Sequence, residues 1–107
     1  MFQPASLRSL FIQTKTTPNP SSLKFMPGKD IMPPDQTMDF SSIRFTHASP
    51  LARRLFQLEG VTRVFLGRDF ISVTKKEELD WAVMKPEVLE VLTDHLTKNQ
   101  PIINEDA

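Results

Sequence analysis

Apolar positions recur along this chain with two periods, and the switches between them divide it into elements. From Leu10 to Thr16 the period is two, Leu10 and Ile12 set against Phe11 and Gln13, which predicts a β-strand with one ambiguous face. Leu23 to Met26 is a short second strand that Pro27-Gly28 stops. Between them Thr17-Pro18-Asn19-Pro20 must reverse the backbone. Each proline fixes its own φ, and Thr17 and Asn19, each preceding a proline, are pushed out of the helical region. The two strands are therefore expected to pair as an antiparallel hairpin. Residues 27 to 36 hold three prolines, a glycine and two aspartates and read as an exposed loop. Gln36 to Phe40 adds a third, weaker strand, and Ser41 to Ala48 shows no regular pattern.

The period then changes to that of a helix. Ser49 offers a side-chain oxygen to the orphan amides of a helix whose first position, Pro50, needs no donor. Leu51, Leu55 and Leu58 fall on one stripe opposite Arg53 and Gln57, and Gly60 supplies the left-handed stop. Each leucine buried contributes about 1.5–3 kcal/mol, which outweighs the exposed charges on the same helix. A second helix is expected from an Asp80 N-cap to about Lys98, with Val88, Leu89, Leu92 and Leu96 at helical spacing. Pro86 lies inside it and is expected to divide a first turn at Trp81–Met84 from the rest. Trp81, the only tryptophan, reads as a core plug against the sheet, with a surface binding role as the alternative.

Between the helices, Val61–Leu66 and Phe70–Lys75 read as strands joined by a tight turn in Gly67-Arg68-Asp69. With Gly67 and Arg68 as the two turn residues, Leu66 pairs with Asp69 and Phe65 with Phe70, and Val64, Leu66, Ile71 and Val73 share one face. A one-residue slip would exchange the faces. Phe65 and Phe70 then lie together away from the helices, either as an aromatic anchor for a partner or as a second small core under residues 41–48. The order β-β-(β)-α-β-β-α predicts an α+β two-layer sandwich: an antiparallel or mixed sheet of four to five strands with both helices on one face.

Composition narrows the function. At 107 residues the chain is one domain of modest core. Expected boundaries are a disordered start or leader remnant over 1–9, the domain over 10–99 and a frayed tail over 100–107. The formal charge is zero, but residues 44–76 carry a balance of +5 and residues 77–107 one of −6. The basic stretch reads either as a face for an acidic partner or as solvated surface neutralised by the acidic one. Zero net charge and no recognisable module argue against nucleic acid, although Arg53, Arg54, Arg63 and Arg68 near two phenylalanines could meet phosphates. No run approaches the ~18 apolar residues of a membrane-spanning helix, so neither nucleic acid nor membrane is expected as a partner. Met1–Leu10, with Arg8, two serines and no acid, has presequence composition but is too short and too weakly basic to stand as one.

Catalysis finds no support. His47 and His95 are far apart, with no motif around either, and His95 reads as a partly exposed residue flanking an apolar stripe. Glu77, Glu78, Glu87 and Glu90 read as charged surface near a helix start, where the dipole favours them. The three glycines are isolated and cannot cradle a phosphate. The chain has no cysteine, and iron–sulfur clusters are gripped by thiolates with occasional histidine. No cofactor and no metal site is therefore expected on it, and it is not expected to be an enzyme.

Thr17-Pro18-Asn19-Pro20 followed by Ser21-Ser22-Leu23-Lys24-Phe25 resembles the opening of the N-terminal domain of Nfu-type (NifU-like) iron–sulfur cluster scaffold proteins. Three later stretches fit the same family in the same order: Ser49-Pro50-Leu51-Ala52 through Glu59-Gly60-Val61 to Phe65, then Asp69–Lys75, then Leu79-Asp80-Trp81 with Lys85-Pro86. Together these cover residues 11 to about 98. Scaffolds of this family hold their cluster through a C-x-x-C pair in a separate C-terminal domain, so the resemblance delivers the family's N-terminal domain without its chemical centre. It implies a non-catalytic interaction domain of a cluster assembly and delivery system. Implied partners are a cysteine-bearing scaffold domain, cluster donors and recipient apo-proteins such as lipoate-synthesis and respiratory enzymes. The implied location is the mitochondrion, with the cytoplasm as the alternative. A partner surface of Arg53, Arg54, Arg63, Phe65, Arg68 and Phe70 follows from combining the basic stretch with the aromatic pair. The competing reading is a free-standing structural or regulatory protein-binding module outside cluster transfer.

Overall fold

The computed structural model describes residues 11–104. Its elements run β1 (Gln13–Thr16), β2 (Ser22–Met26), β3 (Met38–Phe40), a 3-10 helix (Ile43–Ala48), α1 (Pro50–Phe56), β4 (Val61–Leu66), β5 (Ile71–Lys75) and α2 (Trp81–Thr97). The five strands form one sheet in the order β1-β2-β5-β4-β3, antiparallel throughout. The expected choice between an antiparallel and a mixed sheet thus resolves to the first, because every neighbouring pair runs in opposite directions. Leu23, Phe25, Val64, Leu66, Ile71 and Val73 from the sheet meet Leu51, Leu55, Val88, Leu92 and Leu96 from the two helices in one buried core.

Local chemistry accounts for the first hairpin. The Asn19 side-chain oxygen accepts from the Ser21 amide at 2.9 Å, and Thr17 Oγ1 donates to the Asn19 carbonyl at 2.8 Å. β1 starts at Gln13, later than Leu10, for a reason on the neighbouring strand: Gln13 pairs with Met26, and β2 ends there because proline follows. Ile12 still packs on the core, whereas Phe11 is 73% exposed. Leu10 and the expected leader remnant lie outside the described residues.

Segment 41–48 is more ordered than its pattern predicts. Ser42 accepts from the Arg44 amide, starting the 3-10 helix, and Ser49 ends it while capping α1. Fully buried, Ser49 accepts from the Ala52 amide at 3.0 Å and donates to the Ile102 carbonyl at 2.7 Å. α1 closes at Phe56 rather than running to the glycine stop, and Gly60, at φ +98°, completes the turn beyond it. A Cβ there would lie 2.1 Å from Leu79 Cδ1, so any other residue would displace that methyl as well as strain the backbone.

Three other expectations need correction. The β4–β5 register pairs Leu66 with Ile71 and Phe65 with Ser72, leaving four residues in the turn where two were predicted. A shift of two positions leaves the faces unchanged, so Val64, Leu66, Ile71 and Val73 are all buried together as anticipated. α2 runs unbroken through Pro86: the ring is exposed, and the carbonyl of Ala82 deprived of its donor is on an exposed residue, open to solvent. His95 is buried to 1% exposure instead of partly exposed. Its Nε2 donates to the Pro101 carbonyl at 2.8 Å, and its Nδ1 faces an Arg54 guanidinium nitrogen at 3.3 Å.

Residues 101–104 are tied down: Ile102 and Ile103 pack on the core, and the Asn104 amide donates to the Ala48 carbonyl at 2.8 Å. The rest of the tail expected to fray, 105–107, lies outside the described residues. Trp81 sits edge-on to Phe25 with ring centroids 6.2 Å apart, as a plug at the end of the core. Among the described residues no helix is long and apolar enough to cross a membrane.

Candidate functional site

Strand alternation sends half of each strand's side chains away from the helices, and the antiparallel register aligns them in rows. One row crosses all five strands: Lys15, Lys24, Ser72, Phe65 and Asp39, each the cross-strand partner of the next. A second, shorter row joins Ser22, Thr74 and Arg63. No helix among the described residues covers this face. The 3-10 helix, the expected cover for Phe65 and Phe70, packs instead beside α1 with Thr46 buried. The idea of a second small core under that segment is thereby set aside, and both phenylalanines are partly buried, against each other and their neighbours on the sheet.

The aromatic pair is prearranged. Phe70 folds back from the β4–β5 turn and stacks on Phe65, centroids 5.8 Å apart and planes 25° from parallel. Its ring can lie there because position 67 is glycine: a Cβ on Gly67 would fall 2.2 Å from the Phe70 ring. Lys24 Nζ sits 4.3 Å from the Phe70 centroid, a cation held over the ring face. Two shallow clefts flank Phe65, each of about 350 Å³: one between Arg63, Asp39 and Thr74, the other between Lys15, Lys24 and Pro18.

The basic residues singled out from the sequence do not form one surface. Arg63 is on the open face, forked onto Asp39 with Nε to Oδ1 at 2.9 Å. That hydrogen bond, against some desolvation and aided by the charge of Arg63, holds the Asp39 carboxyl below the ordinary carboxylate value. Arg68 pairs with Asp30 at 3.2 Å at the turn. Arg54 belongs to the helix layer, bound to Asp94 at 3.0 Å and to His95, and Arg53 is exposed on the same helix. The sheet separates Arg53 and Arg54 from the aromatic pair, so the structure brings Arg63, Phe65 and Phe70 together, sets Arg68 at their margin and leaves the other two on the opposite side. Lys15 and Lys24 join the open face without having been singled out. A signal for Lys24 was present: it alternates with Leu23 and Phe25, which are buried, and so must point with Phe65.

The donor chemistry does not suit a resident iron–sulfur cluster. The sequence has no thiol, both ring nitrogens of His95 are engaged, and no group of three or more His, Asp or Glu able to hold a metal occurs among the described residues.

Residues 12–99 match the family described as scaffold protein Nfu/NifU N terminal. The mitochondrial NFU1 iron–sulfur cluster scaffold homolog of Drosophila virilis is 50% identical over 100 residues, spanning 94% of this chain and 34% of its own length. That of Drosophila willistoni is 48% identical over 98 residues, spanning 92% of this chain and 34% of its own. The chain thus spans about a third of the length of these relatives. The solution structure of a NifU-like protein from Saccharomyces cerevisiae superposes with a TM-score of 0.79 at 28% identity, covering 92% of this chain and 87% of that one. The crystal structure of protein SAV1430 from Staphylococcus aureus, at 23% identity, shares the fold, with a TM-score of 0.65 over 76% of this chain and 96% of its own. Hairpin, capped helix, five-stranded sheet and sequence match agree: the chain belongs to the Nfu/NifU N-terminal domain family of iron–sulfur scaffold proteins.

Proposed function

We propose that this chain is a docking domain in mitochondrial iron–sulfur cluster assembly, which meets cluster-carrying or cluster-receiving proteins through the open face of its sheet and leaves the cluster to thiolates on other domains or chains. The observation that carries this reading is the uncovered Phe65–Phe70 stack with Lys24 seated on it, in a domain without a single cysteine. A stacked pair already fixed by Gly67 gives up little conformational freedom when a partner covers it, so its burial goes into affinity. Lys15 and Lys24 add steering toward an acidic rim, while Arg63 is already satisfied by Asp39 and contributes less.

The test is the double variant Phe65→Ala, Phe70→Ala, titrated by calorimetry against a cysteine-bearing Nfu C-terminal domain carrying a reconstituted cluster. We expect a loss of about 2 kcal/mol or more, roughly thirtyfold in Kd, with an unchanged far-UV spectrum. Arg53→Glu, behind the sheet, should leave the affinity within about twofold. Wild-type affinity in the aromatic double variant would overturn the reading.

A further inference from the structure

On the helix side of the molecule, remote from the open face, the β5–α2 turn and the first turns of α2 enclose a cleft of about 420 Å³. Its floor is apolar: Leu79 lies over Gly60, close enough that a Cβ would collide, and Met84 is buried beside it. Val83 stands at the cleft 64% exposed, one of the few large hydrophobic residues left open. Glu59, Glu78, Asp80 and Glu87 rim it. None of these four carboxylates has a basic group within 4 Å among the described residues, whereas Asp30, Asp39 and Asp94 are each paired. Asp80 caps α2, and the positive end of that helix accounts for Glu78 beside it. The helix accounts for neither Glu59, which comes from the turn after α1, nor Glu87 in its second turn. Lys75, Lys76 and Lys85, the cations adjoining the rim in sequence, form no ion pair with it.

We propose that this cleft is a second docking site, whose occupant is a cationic amphipathic segment of another protein: one or two aliphatic side chains seated against Leu79, Val83 and Met84, flanked by Lys or Arg facing the four carboxylates. Charge complementarity selects this occupant, because four unneutralised carboxylates around an apolar floor repel an acidic or neutral-polar segment and attract a basic one. The apolar floor distinguishes the site from a merely charged surface, since exposed ion pairs alone contribute little.

The probe is a synthetic helical peptide of leucine and lysine with its leucines on one face, titrated into the isotope-labelled chain and followed by amide chemical shifts. Its control is a peptide of the same charge with serine in place of leucine. Saturable shifts confined to residues 58–60 and 78–87 are expected, with the serine peptide at least about tenfold weaker. Val83→Ser and the double variant Glu59→Lys, Glu87→Lys are each expected to weaken binding by about tenfold, with spectra that otherwise report an intact fold. Equal binding of both peptides, shifts scattered over the surface, or indifference to Val83→Ser would overturn the proposal. So would shifts at these residues that grow with protein concentration alone, which would identify the occupant as a second copy of the chain.

Discussion

Phe25→Ala is expected to lower the free energy of unfolding by about 3–5 kcal/mol, against a total of roughly 5–15 kcal/mol for a domain of this size. Phe25 has no exposed surface, lies on the second strand of the sheet between Thr14 on β1 and Ile71 on β5, and packs edge to face with Trp81. Truncating it opens a cavity beside Trp81 that rigid strand neighbours cannot fill. The urea midpoint is the measurement, at a slope unchanged from the wild type. Phe65→Ala, a change of the same atoms on the open face, should cost less, because that ring is only partly buried and its loss leaves no enclosed cavity. Similar losses at the two positions would mean that the sheet has no open face, and the docking proposal would fail with it.

His95→Ala carries the second large effect, about 2–4 kcal/mol, through two losses at once. The buried ring leaves a cavity, and the Pro101 carbonyl loses its donor, which loosens the strap of residues 101–104. The geometry also dictates a protonation state. Nε2 carries the proton given to Pro101, so Nδ1 accepts from Arg54, and an imidazolium would aim a second N–H at a guanidinium. Burial chiefly, with the charge of Arg54 added, lowers the His95 pKa from 6.5 against the opposing pull of the Pro101 carbonyl and Asp94. The unfolded chain therefore binds a proton first as pH falls. Stability should be complete above pH 6.5 and decline as pH drops through the lower folded value. Asp39 and Asp94, whose carboxyls are held below 3.8, add their own losses only at more acid pH, so the two windows are separable. His95→Gln, which keeps a donor for Pro101 but does not titrate, should abolish the slope between pH 7.5 and 5 in urea midpoints. A wild-type midpoint flat over that range would contradict the buried neutral imidazole.

What could be read from the sequence was whatever local chemistry decides. Proline and Asx geometry fix the first turn, Ser49-Pro50 fixes the start of α1, and the apolar alternation fixes the faces of β4 and β5 whatever the length of their turn. The two-residue register shift was invisible because both alternatives bury the same side chains. His95 was misjudged because its burial depends on Arg54 and on a strap beyond the helix, not on its own stripe. The basic residues were misgrouped for a related reason: a charge count along the chain does not know that α1 and β4 present theirs on opposite sides of a sheet. Pro86 breaks no helix because its exposed position leaves the carbonyl it orphans open to solvent. The candidate surface was thus half legible, its aromatic pair from period and turn, its lysines only once the rows across the sheet were known.

The central claim is that partners of the cluster machinery dock on the open sheet face. The most direct measurement is an amide chemical-shift map of the labelled chain titrated with the cluster-loaded C-terminal scaffold domain. The account predicts perturbation centred on Lys24, Phe65, Phe70, Ser72 and Thr74. Perturbation confined to α1 and α2, or none at saturating partner, would contradict it.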